Sequence, residues 1–178
     1  MNVICFGDSN TYGCDPRSWL GGRYDADSRW VDILAGSTGW TVRNMGANGR
    51  EIPRTAPDIP PDTDLLIVML GSNDLLQGLS PEEAAGKLER FLSDLSLPRD
   101  KILLIAPPTM CRGEWVPNQQ LIDNSRIFAR CCRDLSVRLG IRFADAGAWD
   151  ISLAYDGVHF TEQGHRAFAA GLLGKLNS

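Results

Sequence analysis

Short uninterrupted apolar runs alternate along the chain with longer stretches in which apolar residues recur every three or four positions. Asn2–Phe6 and Asp64–Leu70 read as buried strands. The second carries no charge after its first residue, as a central parallel strand should. Trp40–Asn44, Lys101–Ala106 and Ile141–Ala144 supply three more, and Pro107 and Pro108 stop the second of these. Between the strands, Ser28–Ala35 predicts a helix with Trp30, Ile33 and Leu34 on one face. In Ser80-Pro81-Glu82-Glu83 a serine N-cap, a proline at the first helical position and a glutamate three after the serine form a capping box. The helix it opens should run to about Ser96 and bury Ala84, Leu88, Phe91, Leu92 and Leu95. Asn118–Leu139 predicts a long helix stopped by Gly140, and Thr161 caps a last helix reaching about Leu176.

Strand–helix alternation implies a parallel sheet with helices on both faces. The expected fold is a three-layer α/β/α sandwich of flavodoxin-like type with about five strands, and the 178 residues suit a single domain over 1–178. The stretch Ile52–Asp62, with Pro53, Pro57, Pro60 and Pro61, reads as a rigid surface loop. A formal net charge of −4 offers no basic footprint, so nucleic acid is not an expected partner. The longest apolar run, Leu65 to Leu70, falls far short of the ~18 residues of a membrane span, so no membrane partner is expected. The five cysteines (Cys5, Cys14, Cys111, Cys131 and Cys132) are odd in number and form no CxxC, which suits free thiols better than a disulfide framework or a zinc site. With no basic, apolar leader ahead of the first strand, a cytoplasmic location is expected.

Ligands in such folds bind at the carboxyl ends of the strands, and small polar residues and glycines gather there. The first strand leads into Gly7-Asp8-Ser9-Asn10, the second into Asn44-Met45-Gly46-Ala47-Asn48-Gly49, and the third into Gly71-Ser72-Asn73-Asp74. The last is followed, after a loop, by Asp156-Gly157-Val158-His159. A serine nucleophile needs a base within reach, and the base needs an orienting carboxylate. Ser9, His159 and Asp156 supply these types, with Gly157 allowing a tight turn between the last two. The backbone N–H of Ser9, the backbone N–H of Gly49 and the side-chain amide of Asn73 are candidate oxyanion donors.

The four segments CFGDSNTYG, NMGANG, GSND and DGVHF resemble, in order, conserved blocks of the SGNH (GDSL-type) hydrolases. They spread from residue 5 to residue 160, nearly the whole chain. Within that family, Asp27-Ser28-Arg29-Trp30, Ala106-Pro107-Pro108, Asp145-Ala146-Gly147 and the segment Asp156–Glu162 resemble bacterial arylesterases and acyltransferases. The resemblance implies nucleophile Ser9, the pair Asp156 and His159, and oxyanion donors Ser9, Gly49 and Asn73, with Gly46 as the alternative to Gly49. It also implies hydrolysis of a small-molecule ester without metal or organic cofactor. Asn10 stands where the family name has leucine. Asn10, beside the nucleophile, and Met110 and Trp115, in the loop after the fourth strand, are candidate substrate-binding residues. Short-chain aryl or alkyl esters are the expected substrates. Carbohydrate O-acetyl esters are an alternative, with lysophospholipids or thioesters behind them, and a homo-oligomer stays open.

Other readings compete. Ser9 alone would serve as a helix cap, Asp8 as an acceptor for loop amides, Asp74 as a turn residue, and His165 as a structural histidine lacking an aspartate three residues before it. A non-catalytic flavodoxin-like binding module is the alternative from another class. The chain has neither the GxGxxG nor the P-loop such a module would use for phosphates, and it lacks the GxSxG elbow of α/β-hydrolases.

Overall fold

The computed structural model describes residues 1–18 and 20–177. Five parallel strands form one sheet: β1 (Asn2–Gly7), β2 (Thr41–Gly46), β3 (Leu65–Met69), β4 (Ile102–Ala106) and β5 (Arg142–Asp145), in the order β2-β1-β3-β4-β5. The helices are α1 (Ser9–Tyr12), α2 (Trp30–Thr38), α3 (Ser72–Leu76), α4 (Pro81–Ser93), α5 (Gln119–Leu139) and α6 (Glu162–Leu176). The expected α/β/α sandwich is therefore present. No helix among the described residues is long and apolar enough to cross a membrane.

The period-two geometry of the strands divides the core between the two faces. Ile4 and Phe6 of β1, Leu66 and Val68 of β3, and Ile102 and Leu104 of β4 meet α4 and α5 through Leu88, Phe91, Phe128 and Leu135. Their chain neighbours Val3, Cys5, Leu65, Ile67, Leu103 and Ile105 meet α2 and α6 through Trp30, Leu34, Phe168 and Leu172. All of β3 is buried, so both of its faces contribute about 1.5–3 kcal/mol per large apolar side chain.

Several boundaries differ from expectation. The capping box of α4 forms as read, with the Glu83 N–H donating to the Ser80 hydroxyl. However, α4 ends at Ser93 rather than about Ser96, and Leu95 and Leu97 still pack into the core from the segment beyond it. The Ile52–Asp62 loop is pinned at its start by Ile52, which is buried against the α4 side of the sheet. The short helices α1 and α3 directly follow β1 and β3. Moving from β1, the chain winds one way to β2 and the other way to β3, so the crevice of this strand order opens beside the ends of β1 and β3.

Candidate active site

Ser9 opens α1 at that crevice. Asp8 is the cap: its carboxylate accepts from the Asn10 N–H at 3.0 Å, and Gly13 closes the helix in the left-handed region. Asp8 thus bonds a loop amide, as expected, and is only 2% exposed. Burial pushes its carboxyl up to about 6, opposed by the Asn10 N–H and the charges of His159 and Arg50.

His159 arrives from the turn before α6. Its Nδ1–H donates to Asp156 Oδ2 at 2.7 Å, and its Nε2 lies 2.9 Å from the Ser9 hydroxyl, in position to accept its proton. The other Asp156 oxygen accepts from the backbone N–H of Val158 and of His159 at 2.8 and 2.9 Å. One carboxylate therefore folds the turn and orients the ring together. Burial disfavours the Asp156 carboxylate, yet the hydrogen bonds from the His159 ring and from these two N–H groups outweigh it and hold its carboxyl below the ordinary range. Ser9 is thus brought together with His159, 150 positions along the chain, and with the Asp156 that orients it.

The loop after β4 braces this turn. The N–H groups of Cys111, Glu114 and Trp115 donate to the carbonyls of Gly157, Tyr155 and Asp156. Gly157 has φ +83, and a Cβ there would lie 2.1 Å from the Cys111 carbonyl oxygen, so only glycine fits the seam. Trp115, half exposed, sets its ring edge-on to His159 with centroids 4.9 Å apart.

Across the crevice, Gly49 and Asn73 face Ser9 over a cavity of about 230 Å³. The Gly49 N–H donates to no group among the described residues. The Gly46 N–H, by contrast, is spent on Asn44 Oδ1 at 2.8 Å. A Cβ on Gly46 would lie 2.1 Å from the Tyr12 nitrogen, so this glycine lets β2 pass under α1. One N–H of the Asn73 amide donates to the Arg50 carbonyl at 3.0 Å, leaving the other for the cavity.

Two of the expected substrate-binding residues are elsewhere. Asn10 is buried with its amide turned away from the cavity, because Val158 and Phe160 engage both ends of it. Met110 is 4% exposed and belongs to the core on the α4–α5 side, since its apolar chain finds a dry site between loop and helix. Trp115 does line the cavity. Asp74 is more than a turn residue: fully buried, it accepts from the Ile52 N–H at 2.9 Å and pairs with Lys87. His165 is buried without a hydrogen-bond partner for either ring nitrogen among the described residues.

Sequence reasoning missed Asp15, Ser18 and Tyr155 in the cavity wall, and Arg50 behind it. The first two lie in a segment without a motif. Asn48 was within a recognised block but drew no role. Among the described residues no cluster of three or more histidine, cysteine, aspartate or glutamate side chains could hold a metal ion.

A model of the GDSL-like lipase/acylhydrolase family matches residues 5–167. Among solved structures, a carbohydrate acetylesterase family member from Sinorhizobium meliloti is 25% identical with a TM-score of 0.82, over 99% of this chain and 97% of that one. The native aryl esterase of M. smegmatis is 25% identical with a TM-score of 0.80, over 99% of this chain and 98% of that one. No curated protein matches the chain in sequence.

Proposed function

The chain belongs to the GDSL-like lipase/acylhydrolase family and is an ester hydrolase; we propose that Ser9 is its nucleophile, His159 the general base and Asp156 the group that orients it. The observation that carries this reading is the unbroken line from Asp156 Oδ2 through both nitrogens of His159 to the Ser9 hydroxyl. His159 Nε2 takes the Ser9 proton as Oγ bonds to the ester carbonyl carbon. The resulting oxyanion accepts from the N–H groups of Ser9 and Gly49 and from the Asn73 amide. The protonated ring then gives its proton to the departing alkoxide, which leaves as the alcohol. In the second half His159 deprotonates water, whose oxygen attacks the acyl-Ser9 carbonyl; the ring then returns that proton to the departing Ser9 Oγ, freeing the acid and restoring the serine hydroxyl. Asp156 holds Nδ1 protonated throughout, so Nε2 is the nitrogen that exchanges protons.

The cavity of about 230 Å³ is below the ~300–1,000 Å³ of typical drug-sized pockets, which favours a short acyl group. Asp15, Ser18 and Asn48 bring hydroxyl-complementary groups to the wall, with Trp115 and Tyr155 as exposed ring surfaces beside them. This lining favours a second reading, in which the leaving group is a sugar hydroxyl, as the name of the Sinorhizobium meliloti relative would suggest. All five cysteines are free, which fits a cytoplasmic protein.

The test is an acyl series of p-nitrophenyl esters from acetyl to octanoyl beside an acetylated sugar, with Ser9→Ala as control and a fluorophosphonate as active-site label. The expected result is fastest turnover of the shortest chains, with label on Ser9 and none on the variant. A preference for octanoyl would overturn the short-acyl reading, and label elsewhere would overturn the choice of nucleophile.

A further inference from the structure

Asn10 lies beside the nucleophile, yet all four of its polar groups are spent on the protein. Its N–H donates to Asp8 Oδ1 at 3.0 Å, and its carbonyl accepts from the Trp30 indole N–H at 2.9 Å. Its side-chain amide reaches residues 148 and 150 positions away: Nδ2 donates to the Val158 carbonyl at 3.1 Å, and Oδ1 accepts from the Phe160 N–H at 2.8 Å. Those two peptide groups flank His159. In extended chain the carbonyl of one residue and the N–H of the residue two on point to the same side, where a neighbouring strand would pair with both. Here one primary amide takes the place of that strand. The partners also fix its orientation, because only a donor suits Val158 and only an acceptor suits Phe160.

We propose that Asn10 is a positioning residue that holds His159 at hydrogen-bonding distance from Ser9. The inference rests on the reading of Ser9 and His159 given above. Ser9 and Asn10 are consecutive in α1, so the helix turn that presents the nucleophile also grips the backbone on both sides of the base. Movement of the His159 segment away from α1 must break both hydrogen bonds of the Asn10 amide, and a misplacement of about 1 Å in such a site can cost on the order of 10²-fold in rate. Asp156 sets the ring's tautomer and tilt, whereas Asn10 sets where the ring's backbone stands relative to Ser9.

Leucine has the branched outline of asparagine but neither donor nor acceptor, so Asn10→Leu removes the grip at nearly constant shape. It leaves the Val158 carbonyl and Phe160 N–H unpaired. Asn10→Ala is the second variant, in which water can enter and satisfy both groups. Each is made in the wild-type chain and in His159→Ala, and p-nitrophenyl acetate hydrolysis is measured with thermal unfolding alongside. With His159 present, kcat should fall about 10–100-fold and KM should stay within about 2-fold. With His159 absent, the same substitutions should leave the residual rate within about 2-fold, because residues that act as one unit are not additive. An equal loss in both backgrounds would show that Asn10 supports the fold or the oxyanion donors instead, and would overturn the proposal. So would full activity of a folded Asn10→Ala. Failure of the underlying reading looks different: His159→Ala alone would then retain wild-type activity.

Discussion

The Arg50 carbonyl accepts one N–H of the Asn73 side chain at 3.0 Å, which leaves that amide a single free donor, on the cavity side. Arg50 also places its guanidinium 4.4 Å from the centre of the Phe6 ring and donates to the carbonyls of Gly7 and Met45, the ends of β1 and β2. One residue therefore ties the ends of β1 and β2, which lead to Ser9 and Gly49, to Asn73 of α3. Asn73→Ala should lower kcat by roughly 10²–10³-fold with little change in KM, the loss seen for other oxyanion donors. Arg50→Ala leaves the Asn73 contact to a backbone carbonyl formally intact but frees the loop that carries it, so a smaller fall in kcat is expected. Steady-state kinetics of both variants on p-nitrophenyl acetate check this. An Asn73→Ala enzyme with wild-type kcat would remove Asn73 from the site.

The response of stability to acid should carry two opposing contributions. Burial, with help from the charges of His159 and Arg29, lowers His165 from 6.5 to about 3. Below pH 6.5 the unfolded chain binds a proton at His165 that the folded chain refuses, so stability falls as the pH drops towards 3. Asp8 works the other way. Raised from 3.8 to about 6 by burial, it binds a proton in the folded chain first, so stability rises as the pH drops from 6 to 3.8. The His165 ring packs edge-on between Tyr24 and Phe160, a site that a phenylalanine ring fits. His165→Phe should leave the Asp8 contribution exposed. Its stability relative to wild type should therefore improve by about 2–3 kcal/mol between pH 7 and pH 4.5. Urea unfolding at the two pH values measures this, and a constant difference would mean that His165 titrates normally.

The strands were legible in the sequence because a buried parallel strand is an apolar run bounded by polar residues, and β1, β3 and β4 are of that kind. The meeting of Ser9, His159 and Asp156 was legible because their types and places at strand ends restrict the chemistry. Helices α1 and α3 were not, since four or five residues are too few to show a helical period. Asn10 was misread because a polar side chain beside a nucleophile looks like a substrate contact. Its true partners, Val158 and Phe160, offer only backbone groups, which leave no mark in sequence. Met110 was misread for the opposite reason: an apolar residue in a loop near the site can as readily face the core.

Gly46 and Gly49 lie close together, and alanine should affect them differently. At Gly46 the new methyl would meet the backbone of Tyr12, which cannot give way without moving α1 and Ser9 with it. Overpacking of this kind costs about 1–3 kcal/mol, and Gly46→Ala should lose both stability and kcat. At Gly49 no atom lies within 4 Å of the added methyl, and the cost is the left-handed φ of +68, about 1–2 kcal/mol. Because alanine keeps the N–H, Gly49→Ala should retain most of its turnover. Thermal unfolding and kcat of the two variants make the comparison, and a greater loss of activity at Gly49 than at Gly46 would contradict it.

Lys87 forms an ion pair with Asp74, the residue after Asn73, and the two partners differ sharply in burial: the Lys87 side chain is 23% exposed and that of Asp74 is 0% exposed. Asp74 also accepts the Ile52 N–H, so it links the segment after Gly49 to α3, which begins with Ser72 and Asn73. Lys87→Met removes the cation and strands a buried carboxylate, a change that typically costs 3–5 kcal/mol. Asp74→Asn in the same chain removes the stranded charge but keeps an acceptor for Ile52, so the double variant should recover most of that loss. Lys87 has a second anionic partner, Glu51, at 3.2 Å. That contact is exposed, and Glu51→Gln should cost no more than about 1 kcal/mol. Urea unfolding of the four chains separates the contributions. If the double variant is no more stable than Lys87→Met, the penalty lies in lost packing of the lysine stem and not in an unpaired Asp74.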